Sequence, residues 1–140
     1  MPVMIPEPYV PDLSVRMSLY RRIALLVDQA EIEAFAAELI DRFGPLPVEV
    51  ENLLKVVAIK RLCRAAGVEK VEAGPKGAVL AFRNNDFVNP GGLVQFMQQQ
   101  AGTVQLRPDH KLVYRRGWQK PEQRVLGVTR LIQELVAIAA

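Results

Sequence analysis

VEKVEAGPKGAVLAF, residues 68–82, is where the apolar period of this chain changes. Upstream of Val68 the apolar residues recur every three or four positions, as on one face of a helix. From Val68 to Gly74 they alternate with polar ones, as on a half-buried strand. Pro75, Lys76 and Gly77 form a turn, and Ala78–Phe82 reads as the returning strand. Helical segments therefore lead into a hairpin, and the chain is α+β rather than all-helical.

Working back from the hairpin, Gly67 stops a helix that Pro47 opens at its first turn. Val50, Leu53, Leu54, Val57, Ala58, Leu62 and Ala65 form its broad apolar face, and Lys55, Lys60, Arg61 and Arg64 its polar side. Before it, Gly44 and Pro45 stop a second helix. That helix begins at DQAE (Asp28–Glu31), which has the form of a capping box with Asp28 as the cap. Its inward set is Ile32, Phe35, Leu39, Ile40 and Phe43, with Glu31, Ala34, Glu38 and Asp41 on the opposite stripe. A first helix starts at the N-cap Asp12 and is expected to reach about Val27, with Leu13, Met17, Tyr20, Ala24 and Val27 inward. Residues 1–11 hold Pro2, Pro6, Pro8 and Pro11 and read as an extended, non-helical lead-in.

Working forward, Asn89 and Pro90 cap and open a short helix to about Gln100. Thr103–Arg107 and Lys111–Arg115 read as a second hairpin. Pro121 opens a last helix with Val125, Val128, Leu131, Ile132, Leu135, Val136 and Ile138 apolar. The expected architecture is three N-terminal helices, a small mainly antiparallel sheet of two hairpins with an intervening helix, and a C-terminal helix. Residues 12–140 are expected to form a single domain. Periodicity does not fix the order of the strands.

Composition narrows the function. Half of the 140 residues are hydrophobic, yet no apolar run reaches the roughly 18 residues that span a bilayer. The N-terminal stretch has no signal-peptide pattern. The single cysteine, Cys63, can make no internal disulfide and reads as a small core residue. These features lead to the expectation of a cytoplasmic, monomeric, membrane-free protein. Net charge is +3, unevenly distributed: residues 1–51 carry nine acids and four bases, whereas residues 103–140 carry seven bases and three acids. Such a division points to two distinct surfaces more than to a uniform nucleic-acid binder.

The residue types needed for catalysis are sparse. His110, the only histidine, falls in a hairpin turn, far in sequence from Cys63, so no metal set or nucleophile–base pair presents itself. GPKGAV lacks the P-loop pattern and lies between hairpin strands. No catalytic residue, metal or cofactor is expected. Two charged sets remain. Lys111, Arg115, Arg116, Lys120 and Arg124 surround Tyr114 and Trp118 and have the character of a nucleic-acid contact. Against that, Trp118 has an ordinary role in packing the last helix on the sheet. Glu38 and Asp41, three apart on the second helix with Glu31 and Arg42 beside them, are open to three readings: solvation, a catalytic pair lacking a cleft, or a docking patch for arginines.

The stretches IPEPYVPDLSVRMSLYRRIA (Ile5–Ala24), ELIDRFGPLP (Glu38–Pro47), KGAVLAF (Lys76–Phe82) and VNP (Val88–Pro90) resemble, in order and spacing, the C-terminal domain of the bacterial transcription-repair coupling factor family. The resemblance implies a domain excised from a large ATP-driven DNA translocase that acts on stalled RNA polymerase. ATP would serve the motor of that parent and not this chain. The resemblance further implies a non-catalytic, autoinhibitory role. The domain would dock on the parent's N-terminal module and hide the surface that binds the excinuclease A subunit. The acidic positions of that clasp fall on Glu38 and Asp41. An accessory DNA-binding role for the basic C-terminal third stands as the alternative.

Overall fold

The computed structural model describes residues 2–140. Five helices and a four-stranded antiparallel sheet follow the expected order: α1 (Leu13–Ala24), α2 (Gln29–Phe43), α3 (Val48–Ala66), β1 (Val68–Gly74), β2 (Gly77–Phe82), α4 (Pro90–Gln99), β3 (Val104–Leu106), β4 (Leu112–Arg115) and α5 (Pro121–Ala139). The chain divides into two compact units, one ending at Arg61 and the other running from Leu62 to Ala140. The division falls inside α3, where no composition shift or linker marks it.

Local capping explains the helix starts of the first unit. Asp12 accepts a hydrogen bond from Val15 N, and Asp28 and Glu31 form the reciprocal capping box. The core is built from Leu19 and Ile23 of α1, Ile32, Phe35 and Leu39 of α2, and Val50 and Leu54 of α3. Ile5 and Val10 are buried in the same core. The proline-rich lead-in is therefore packed, and it is not extended throughout as expected: Tyr9 N and Val10 N both donate to the Pro6 carbonyl at 3.1 Å, closing a turn over residues 7–9 that the fixed φ of Pro6 and Pro8 allows. Tyr9 donates its hydroxyl to the carbonyls of Leu39 (3.2 Å) and Gly44 (2.8 Å), the second an acceptor that the end of α2 leaves open. Ile5 N donates to the Tyr20 hydroxyl at 2.7 Å, and Asn52 Nδ2 to the Pro2 carbonyl at 3.1 Å.

Two apolar assignments are corrected here. α1 stops at Ala24, and Leu13 and Val27 stand 61% and 69% exposed. α1 carries two apolar stripes of equal helical period, and the one through Val15, Leu19 and Ile23 is the one that meets α2 and α3. On α2, Ile40 is 49% exposed, because the core face centres on Ile32, Phe35 and Leu39 and Ile40 lies one step around the helix from it.

In the second unit the strand order is β1-β2-β4-β3. Each hairpin pairs internally, and β2 joins the two through Gly77–Leu80 against Leu112–Arg115. Alternation sends Ala78, Leu80, Phe82 and Leu112 to the core face and leaves Val79 and Val113 on the other. α5 packs on the core side with Val128, Leu131, Ile132 and Leu135 buried. α4 is capped by Asn89, which accepts from Gly92 N and donates to the Ile138 carbonyl, tying α4 to α5. Gly77 has φ +125°, and a Cβ there would lie 1.9 Å from the Tyr114 carbonyl oxygen, so this turn requires glycine.

Candidate docking face

The ridge of α2 is firmly held. Its N-terminus carries the capping box, and its C-terminus bears on Gly44 and the Tyr9 hydroxyl. A capped helix presents its surface side chains from fixed positions, which suits recognition better than a loop does. The ridge residues differ in what they do. Glu31 is committed locally: its carboxylate accepts from Val27 N at 2.8 Å and Asp28 N at 3.2 Å. Glu38 accepts a two-pronged bond from Arg22, Nη1 to Oε2 at 2.5 Å and Nη2 to Oε1 at 2.7 Å. Arg42 Nη1 adds a third bond to Oε2 at 3.0 Å. Asp41 is exposed and makes no ion pair among the described residues.

Those contacts set the electrostatics. The Arg22 guanidinium first, and Arg42 after it, hold the Glu38 carboxyl down from its ordinary 4.5 to about 2. The same bond raises the Arg22 guanidinium above its own ordinary value. Glu38 keeps 35% of its side chain exposed and Arg22 44%, so the pair is reachable by solvent and by a partner. Each guanidinium also lies over a ring, Arg22 at 5.1 Å from the centroid of Phe35 and Arg42 at 4.9 Å from that of Phe43. Arg22 belongs to the site although only the structure reveals it. Sixteen residues separate it from Glu38, beyond any within-helix spacing rule, whereas Arg42 follows Glu38 at the four-residue spacing of helix neighbours.

The basic set is dispersed by function. Arg116 donates to Thr103 Oγ1 (2.8 Å) and Gln100 Oε1 (2.5 Å) and lies 4.0 Å from the Tyr114 ring centroid. Arg124 donates from Nε to the Trp118 carbonyl at 3.1 Å and from Nη2 to that of Gln119 at 3.3 Å. Trp118 is buried and pressed against Gly127, where a Cβ would come within 2.2 Å of its ring. It therefore packs α5, and its indole does not offer a stacking platform. Of the five basic residues only Lys111, Arg115 and Lys120 keep side chains outside such bonds, and Arg115 borders an open groove of about 960 Å³ with Glu72, Lys76 and Val113. Among the described residues Trp118 is buried and the Tyr114 ring already has Arg116 over it, so neither aromatic of this segment presents a bare face for base stacking.

Other chemistry is thin among the described residues. No group of three or more His, Cys, Asp or Glu side chains is arranged to hold a metal ion, and no helix is long and apolar enough to cross a membrane. Cys63 is half-buried, and that burial pushes its thiol up, away from reactivity. His110 sits exposed in the β3–β4 turn with φ +67°.

Comparison with known proteins agrees with the resemblance read in the sequence. Residues 1–93 match the TRCF domain family. The transcription-repair-coupling factor of Rickettsia conorii is 41% identical over 113 residues, which is 80% of this chain and 10% of that protein. The transcription-repair-coupling factor of Escherichia coli K12 is 32% identical over 135 residues, 96% of this chain and 12% of that protein. This chain thus spans about a tenth of the length of the curated relatives it matches. A crystal structure of the C-terminal domain of transcription-repair coupling factor superposes with a TM-score of 0.76 at 20% identity, covering 99% of this chain and 89% of that one, and so shares its fold. The chain belongs to the TRCF domain family.

Proposed function

We propose that this domain is a non-catalytic regulatory module that docks, in the resting protein, on the N-terminal module of a transcription-repair coupling factor. There it would mask the surface that recruits the excinuclease A subunit until RNA polymerase or DNA engages the parent. The observation that carries the reading is the ridge of α2: an exposed Asp41, with no ion pair among the described residues, beside Glu38 on a helix fixed at both ends. Carboxylates so presented suit charge-assisted pairing with arginines of a partner. The partner and the cytoplasmic setting of DNA repair are carried over from the resemblance to the coupling-factor family and are part of the proposal.

The energetics favour a releasable contact. Partly exposed ion pairs are worth about 1 kcal/mol or less each. A switch needs a coupling of only about 1–3 kcal/mol. Covalent connection to the same polypeptide raises the effective concentration of the two surfaces, so weak contacts suffice.

The test is calorimetric titration of this domain against the purified N-terminal module at low and moderate salt. Salt-sensitive binding that drops about tenfold or more in Asp41→Arg supports the reading, since the reversal both removes the pair and sets like charges against each other across the contact. Binding indifferent to Asp41→Arg and Glu38→Gln removes the ridge from the interface. Reversal at Glu38 is the poorer probe, because it would place a third cation against Arg22 and Arg42 and disturb the fold as well as the contact.

A further inference from the structure

Glu38 and Asp41 lie within one turn of each other, yet their surroundings are unlike. Asp41 meets no cation of the described residues, whereas Glu38 has both oxygens engaged by Arg22 and one of them by Arg42 as well. We propose that Arg22 is an intramolecular competitor for the docking face, occupying in cis the carboxylate that a partner's arginine requires in trans. The proposal rests on the docking reading above and specifies how that contact is kept weak.

A carboxylate offers about four lone-pair sites. Arg22 uses one on each oxygen and Arg42 another on Oε2, so three are taken. A two-pronged approach by an incoming guanidinium needs a free site on both oxygens in one plane. The arriving arginine must therefore displace Arg22 rather than join it. Such an exchange replaces one arginine–carboxylate pair by another of like kind, so it adds little net affinity at Glu38. Asp41, with nothing to displace, then leads the recognition. Arg22 is free to make the exchange: it comes from the last turn of α1, its side chain is 44% exposed, and the Phe35 ring beneath it gives the guanidinium a place to rest once the carboxylate is taken. Arg42 is the weaker rival, with one bond at 3.0 Å from its own helix.

The test is a double-mutant cycle on binding to the N-terminal module, using Arg22→Met, Glu38→Gln and the pair, with Arg21→Met as a charge control. Methionine keeps the apolar stem over Phe35. Arg21 is an exposed neighbour with no ion pair among the described residues. Arg22→Met is expected to tighten binding about two- to fivefold, the range an exposed pair can supply, and to have no effect once Glu38 is glutamine. Carboxyl NMR of the isolated domain should show Glu38 titrating far below the ordinary range in the wild type and returning toward it in Arg22→Met. Equal tightening in the Glu38→Gln background, or in Arg21→Met, would mean only that a positive charge was removed, and would overturn the competition. Unchanged or weaker binding by Arg22→Met, while Asp41→Arg still abolishes it, overturns the competition and leaves docking intact. A wild-type Glu38 that titrates normally removes the cis pair itself, whatever the partner does. Absence of binding by wild type and Arg22→Met alike removes the docking reading, and the competition with it.

Discussion

The ridge of α2 and the segment from Lys111 to Arg124 both carry concentrated charge, of opposite sign, and use it differently. In the basic segment two of the three arginines bond to backbone and side-chain acceptors of the fold: Arg116 ties Gln100 and Thr103 to Tyr114, and Arg124 holds the carbonyls of Trp118 and Gln119. Those guanidiniums act as internal braces. On α2 the carboxylates stand at the surface, one held by a neighbour and one unheld. Charge density alone would have nominated the basic segment as the more functional of the two. The hydrogen-bond partners divide each set: Arg116, Arg124 and Glu38 are satisfied by the fold, whereas Arg115 and Asp41 make no ion pair among the described residues.

Three measurements would break or sharpen this contrast. The largest effect is expected at Trp118, whose buried ring fills the space over Gly127. Trp118→Ala should destabilise the second unit by about 3–5 kcal/mol in urea unfolding. A loss under 1 kcal/mol would return the indole to the list of ligand-facing groups. Next comes the pair Arg116 and Arg115. Arg116→Ala should cost about 1–2 kcal/mol through its two side-chain hydrogen bonds and the Tyr114 stack. Arg115→Ala, on an exposed side chain, should stay within about 0.5 kcal/mol. Equal effects would erase the distinction between brace and free cation.

The smallest effect is the pH dependence of Glu38. Its carboxyl is lowered from 4.5 to about 2, so its contribution to stability is complete above pH 4.5 and fades as pH falls toward 2. With 35% of the side chain exposed, solvent screening keeps that contribution under about 1 kcal/mol. Asp109, held at about 2 by Arg107, titrates in the same window. The informative quantity is therefore wild type minus Glu38→Gln. That difference should shrink steadily from pH 4.5 to 2, and a flat difference would mean that the Arg22 pair does not persist in solution.

The sequence was readable wherever a signal and its structural consequence lie within a few residues. Asp12, the Asp28–Glu31 box and Asn89–Pro90 start the helices they were expected to start, and Val68–Gly74 is the strand β1, although a bulge between Val68 and Lys70 breaks the expected alternation of its burial. It failed where two local patterns were equally good. The Leu13–Met17–Ala24 stripe and the Leu19–Ile23 stripe both have helical period, and only contact with α2 and α3 selects between them. It was silent where partners are remote. Nothing in the spacing of the two hairpins dictates that β2 should pair with β4, and nothing local joins Arg22 to Glu38. At the candidate site, the placement of Glu38 and Asp41 on the outward side of α2 was legible, and the pairing of Glu38 with Arg22 was not. Glu38 and Asp41 look alike as letters, and an arginine from another helix makes them different.

The hydroxyl of Tyr9 has a bearing on motion. It holds the carbonyls of Leu39 and Gly44 from thirty and thirty-five residues away, so the last turn of α2 is closed by a group that arrives from the chain's proline-rich start. Opening of that turn costs the Tyr9 hydrogen bonds as well as its own, and the residue that makes them lies between Ile5 and Val10, both anchored in the core. In hydrogen-exchange terms the turn that carries Asp41 is expected to lose protection in Tyr9→Phe, and unchanged protection there would uncouple it from the lead-in.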